Sequence, residues 1–218
     1  MTPAVVRTGF DPRRHAPPFA NCFPRGTPVV AVPTPLGRLT LGDAAGGLCG
    51  GMVFAALDCF LHGVPPPPEP TPAAVRYLAR RLLASWDFPF GLLKYYDWQR
   101  RSQAGLTRLT TRVEWPKVQR SLDAGMPVPL GMVKAASFDP RHLPRNHQVL
   151  AHGYRLDAGG QVTLAVYDPN HPDDADTTVI LPPHDFDSMQ AFAHSAEGRT
   201  VRGLFVTAYT RPDDAPRF

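Results

Sequence analysis

Cys49 stands in the run "GGLCGG", directly ahead of a segment with helical spacing. A thiol at a helix N-terminus is placed to ionise, because unpaired amide N–H groups and the helix dipole stabilise negative charge there. Cys59, ten residues further into the same pattern, lacks that advantage and reads as a small apolar core residue. A cysteine nucleophile needs a base, and the base needs a third group to orient it. His147 opens a strand pattern in "NHQVLAHGY" and Asp168 closes the next in "VTLAVYDPN". With "DAGG" (Asp157 to Gly160) as a hairpin loop between them, the 21 residues from His147 to Asp168 return the chain to its starting level. Imidazole and carboxylate are then side by side. The chemistry these three residue types support is acyl transfer through a thioester, with Cys49 attacking, His147 moving the proton and Asp168 fixing the imidazole tautomer.

The elements that must position them follow from periodicity. Met52, Val53, Ala56, Leu57, Phe60 and Leu61 recur at helical spacing over Gly50 to His62, and Gly63 ends the run. A second helix starts at Thr71 as N-cap with Pro72 at its first position, carries the stripe Val75, Leu78, Leu82 and Leu83, and runs through Ser85. A third spans Trp115 to Ala124, ended by Gly125. Five β-rich runs come after it: Pro127 to Ala135, His147 to Leu156, Gln161 to Pro169, Thr177 to Pro182 and Arg202 to Thr210. The chain therefore reads as one α+β domain over 1–218. Residues 1–45 form an extended arm with one short strand near Thr27 to Val32. Residues 46–125 are mainly helical, and 126–218 mainly antiparallel strands in a sheet or partial barrel. The aromatics of "WDFPFGLLKYYDWQRR" (Trp86 to Arg101) read first as packing between helices, with a binding cleft as the alternative.

The order Cys, His, Asp, with "GLCGGM" heading a helix, the strands "NHQVLAHGY" and "VYDPN", and "SLDAGMPVPLGMV" feeding the strand before the histidine, resembles the papain-like cysteine peptidases in their bacterial branches, including relatives of bacteriocin leader peptidases. The resemblance covers Gly46 to Asn170. It implies a papain-like fold and a cysteine hydrolase acting on a peptide or protein substrate, with Cys49, His147 and Asp168 as catalytic residues. Gly47, Trp86, Tyr96 and Asn146 are the expected substrate-binding residues. Such peptidases carry a glutamine a few residues before the cysteine that helps hold the oxyanion; here Asp43 stands six positions before Cys49, and 22–48 contain no Asn or Gln. A carboxylate repels the developing charge. The nearest upstream amide is Asn21, so the oxyanion candidates are Asn21, if the arm folds back, and the backbone amide of Gly50. Two alternatives keep the fold: an acyl transferase or deamidase with the same three residues, and a binding module that has lost turnover.

Other classes have less support. The net charge of +4 is spread over scattered arginines with only three lysines, and no aromatic-and-basic reading motif accompanies it, so nucleic acid is not an expected partner. No HExxH or paired CxxC spacing points to zinc, and the acidic run Asp168 to Asp176 reads as a solvated turn; neither a metal nor another cofactor is expected. Three cysteines do not suggest a disulfide framework. No segment approaches the roughly 18 uninterrupted apolar residues of a membrane span. The expected location is the cytoplasm, or outside it by a route without a Sec-type signal.

Overall fold

The computed structural model describes residues 3–24, 28–34, 37–43, 47–87, 90–183 and 190–218, with the backbone alone for 28–34 and 37–43. In chain order the first half contains β1 (Ala4–Arg7), α1 (Pro12–His15), β2 (Pro28–Thr34), β3 (Gly37–Asp43), α2 (Cys49–His62), α3 (Pro72–Ser85), α4 (Phe90–Gln99) and α5 (Gln103–Arg108). A π-helical turn (Leu109–Glu114) continues α5 into α6 (Trp115–Asp123). The second half contains β4 (Val128–Val133), a 3-10 turn (Pro140–Arg145), β5 (His147–Leu156), β6 (Val162–Tyr167), β7 (Thr178–Leu181), β8 (Phe192–His194), β9 (Gly198–Val201) and β10 (Gly203–Val206).

The fold is α+β, with helices against a curled antiparallel half-barrel in the strand order β10-β4-β5-β6-β7-β8-β9. Alternation along β5 divides the interior. Val149 and Ala151 join β4, β6 and α6 in one core with Trp115, Val118 and Leu122, while Leu150 packs with Val53, Phe54 and Leu57 of α2 in another. The helix starts and stops follow the local signals: Thr71 Oγ1 accepts the Ala74 amide at 3.2 Å, and Gly63, at φ +64°, turns its N–H back onto the last carbonyls of α2.

The arm differs from the single short strand expected of it. Its first strand, β1, extends the sheet by pairing with the far half of β5, Ala4 opposite Leu156 and Arg7 opposite Gly153. Further on, β2 and β3 pair as a separate two-stranded ribbon; Thr27, where the expected strand began, is outside the described residues. Four residues are too few for β1 to show a period, and Pro28 and Pro33 disguise a ribbon in which proline is tolerated because it is not central to a sheet. Two further strands, β8 and β9, are three and four residues long and equally illegible. The aromatic segment contributes the helix α4, whose Tyr95 and Trp98 pack with Leu106, Val133 and Phe205.

Two devices hold α2 in place. Asp58, fully buried, accepts from Tyr77 Oη at 2.7 Å, Arg81 Nη2 at 3.0 Å and Tyr209 Oη at 2.6 Å, tying α2 to α3 and to the C-terminal segment. The charge is shared among three donors, the condition under which a buried carboxylate is tolerated. The second device is the absence of a side chain at Gly51, where a Cβ would come within 2.0 Å of the Leu78 carbonyl oxygen. That obstacle is backbone and cannot rotate away. Gly51→Ala is therefore expected to push α2 from α3 and lower stability by about 1–3 kcal/mol, read as an earlier thermal or urea transition. An unchanged transition would show that the two helices are not tightly docked.

Candidate functional site

Cys49 is the first residue of α2, where the N–H groups of the opening turn have no acceptor inside the helix. The residue is partly exposed. His147 begins β5 and Asp168 follows β6, and the antiparallel register between these strands, Leu150 opposite Tyr167, puts both at the same end of the sheet. An irregularity between Ala151 and Gly153 absorbs the odd residue without spoiling that level. His147 Nε2 lies 2.6 Å from Asp168 Oδ1. A carboxylate only accepts, so Nε2 carries the proton and donates, leaving Nδ1 for the thiol of Cys49, with which the imidazole is hydrogen-bonded. His147 and Asp168 are 5% and 1% exposed, so of the three residues only Cys49 is not enclosed.

The electrostatics favour a thiolate–imidazolium pair. Burial alone would raise the Cys49 pKa; the His147 charge and hydrogen bond, with the backbone N–H groups of Gln148 and Gly50, outweigh it and lower the value. Burial likewise works against the His147 cation, but the Cys49 charge and the Asp168 hydrogen bond raise its pKa to about 10. Burial opposes ionisation of Asp168 too, and the hydrogen bond from His147 with the N–H of His194 nearby overcomes it, holding the carboxyl far below the usual range. Cys59 provides the contrast: burial, aided by the Asp58 charge, pushes its thiol up to about 12. One thiol is stabilised as its anion and the other is kept neutral.

Asn21 reaches the same place from the arm. Its backbone N–H donates to the Pro169 carbonyl at 2.9 Å, its Oδ1 accepts the Leu48 amide, and its Nδ2 donates to Asn170 Oδ1 at 3.0 Å. The carboxamide is thus pinned one residue from Cys49, and among the described residues the second of its two N–H bonds has no acceptor. Gly47 makes room for it: at φ +90°, a Cβ there would stand 2.6 Å from Asn21 Nδ2. Gly50 N–H is turned to the Cys49 sulfur, and a Cβ on Gly50 would meet Ser85 Oγ at 2.2 Å. Asp43 ends β3, opposite Pro28; its side chain is outside the described residues.

The other expected lining residues are placed differently. Asn146 spends its side chain internally, with Oδ1 accepting the amides of Lys134 and Ala135 at 3.1 Å and Nδ2 donating to Gln99 Oε1 at 3.3 Å, which fixes the loop before His147. Trp86 packs against the core between α2 and α3. Tyr96 donates to the Phe138 carbonyl at 3.0 Å and lies under Arg100 at an exposed site. It is the neighbouring Tyr95 that touches the site, donating to the His147 carbonyl at 2.9 Å. Helical rotation by one residue moves a side chain about 100°, so an aromatic cluster in sequence does not tell which member points inward. Sequence reasoning also missed Gln148, whose Nε2 donates to Ser85 Oγ at 3.2 Å, and His194, beneath Asp168.

Asp168, His171 and Glu197 each offer a ligand atom, all within 4.8 Å of one another. Lys134 pairs with Glu197 and His147 Nε2 with Asp168 Oδ1, whereas His171 Nε2, 3.5 Å from Glu197 Oε1, makes no hydrogen bond, and Asp168 Oδ2 only faces His194. The cluster is an ion-pair network on the inner side of the carboxylate. Among the described residues no helix is long and apolar enough to cross a membrane. A concave surface lined by Thr111, Trp115, Gln119 and Leu181 lies against α6 and includes none of the residues above. Comparison with models of known protein families, with curated proteins and with solved structures gives no match.

Proposed function

We propose that the protein is a papain-like cysteine hydrolase that cleaves a peptide or related amide bond through a thioester acyl-enzyme. The observation that carries the reading is the line of contacts from the helix-terminal thiol of Cys49 through the His147 ring to the buried Asp168 carboxylate, with Nε2 to Oδ1 at 2.6 Å. The thiolate of Cys49 attacks the carbonyl carbon, and the carbonyl π pair moves to oxygen. That oxyanion is met by the second N–H of Asn21 and by amides of the first turn of α2. His147 gives its Nδ1 proton to the leaving nitrogen as the C–N bond breaks, forming the thioester. Neutral His147 then takes a proton from water, the hydroxide oxygen adds to the thioester carbon, and the C–S bond breaks to regenerate thiolate and imidazolium. Asp168 keeps the ring in one tautomer throughout.

The inactive-module reading rested on Asp43 standing where an amide donor was expected; the pinned Asn21 carboxamide weighs against it. The test is a pool of peptide amides incubated in ¹⁸O-labelled water, with product masses read by mass spectrometry and a primary amine added in a parallel arm. Cleavage with one ¹⁸O in the new carboxyl is expected, and Cys49→Ala should give none. Side-chain deamidation, or amine incorporation in place of water, would transfer the same machinery to an acyl-transfer enzyme. Identical products from Cys49→Ala would remove the proposal altogether.

A further inference from the structure

Asp168 has two carboxylate oxygens, and the chemistry above uses one. Oδ1 takes His147 Nε2 and the Asn170 amide, the latter at 2.8 Å. Oδ2 faces His194 Nε2 at 3.2 Å, and both side chains are wholly enclosed. The approach is bent away from the ideal hydrogen-bond direction, so the contact is a dipole held against a charge more than a linear hydrogen bond. The proton position is fixed from the other side of the ring. His194 Nδ1 accepts the Ala196 amide at 3.3 Å, which leaves the proton on Nε2, pointing at Oδ2.

The hairpin carrying His194 is anchored independently of the site. Val179 of β7 stands opposite His194, Ser195 Oγ accepts the Thr178 amide at 3.0 Å, and Gly198, at φ +72°, leads into β9. Among the described residues, the charged and titratable groups around the pair are His147 at the start of β5, Tyr167 at the end of β6, His171 in the turn after β6, Glu197 in the β8–β9 turn and Lys134 just after β4. Lys134 and Glu197 neutralise one another, and the His171 ring lies 5.9 Å from the His194 ring. Among the described residues only the two histidines turn a side-chain N–H toward Asp168.

We propose that His194 is a positioning residue for Asp168, holding the carboxylate by its second oxygen so that the plane of Oδ1, and with it the His147 ring, stays aimed at Cys49. The proposal rests on the hydrolase reading of Cys49, His147 and Asp168. A carboxylate held at one oxygen can swing about its Cβ–Cγ bond, and the imidazole would swing with it. His194 removes that freedom without touching substrate.

The test uses the full chain in a Cys22→Ser background and reads the pH profile of Cys49 alkylation by iodoacetamide. His194→Phe keeps a ring and removes the donor; His194→Gln keeps an N–H of similar reach. We expect His194→Phe to slow alkylation at pH 6 about tenfold and to move the profile to higher pH, and His194→Gln to recover most of the rate. Should the phenyl ring not fit, His194→Asn, with its donor drawn back by one bond, should behave as His194→Phe. A donor-free variant with the intact profile would overturn the proposal, and so would Gln being no better than Phe or Asn. His147→Ala run alongside separates the two levels: if it leaves the profile unchanged, the hydrolase reading itself fails, whereas if it shifts the profile and the His194 variants do not, only the role of His194 falls.

Discussion

In a Cys22→Ser background, His147→Ala is expected to slow iodoacetamide alkylation of Cys49 at pH 6 by about a hundredfold and to move the midpoint of the pH profile up to or beyond that of a free thiol, about 8.5. The direction follows from what surrounds the sulfur. Burial is the largest influence on the Cys49 thiol and acts to raise its pKa; it is overcome chiefly by the charge and hydrogen bond of His147. Without the imidazole, the N–H groups of Gly50 and Gln148 and the helix terminus remain, and they stand alone against burial. The intact protein should behave as a thiolate down to the lowered Cys49 pKa, losing reactivity only as pH falls through it. At the other end His147, raised to about 10, loses its proton as pH rises through that value. Turnover needs that proton for the leaving group, so hydrolysis should be bell-shaped with its basic limb near pH 10 while alkylation stays high. Cys22 is exposed and would report its own reaction, hence the serine background; Cys59 is buried. A His147→Ala profile that overlays the parent would mean that thiol and imidazole are not coupled.

Asn21→Ala should lower kcat by about a hundred- to a thousandfold with KM little changed, the loss associated with removing one oxyanion donor. The side chain has a structural duty as well, since its Oδ1 holds the Leu48 amide at the mouth of α2. Asn21→Asp separates the two. It retains an acceptor for Leu48 and replaces the donor with a negative charge, so it should be at least as slow as alanine if Asn21 serves the oxyanion. If the structural bond alone matters, Asp should be close to the parent. An alanine variant with full turnover would leave the α2 amides as the donors.

The residues proposed to react were legible because their spacing is local: a thiol before a helix, and two strand ends joined by a short hairpin. The β5–β6 register brought His147 to Asp168 as the loop length required. Contacts made by distant segments left no such trace. Asn21 is placed by bonds to Leu48, Pro169 and Asn170, partners up to 149 residues away. His194 sits in a three-residue strand whose preceding segment gives no period. Tyr95 and Tyr96 were indistinguishable until the rotation of α4 was known. In each case the deciding quantity was the direction of a side chain, which a residue type and a position do not encode.

Because the thiol belongs to a helix of one core and its base to a strand shared with the other, Cys49 reactivity is also a gauge of how firmly the halves are docked. Any opening that lifts α2 from β5 would switch the sulfur from ion-paired thiolate to ordinary thiol before much helix or sheet is lost. Denaturant titrations followed by alkylation at pH 6 and by circular dichroism would then separate, the chemical signal falling first. The protein would carry its own probe of sub-global unfolding at the seam where its two cores meet.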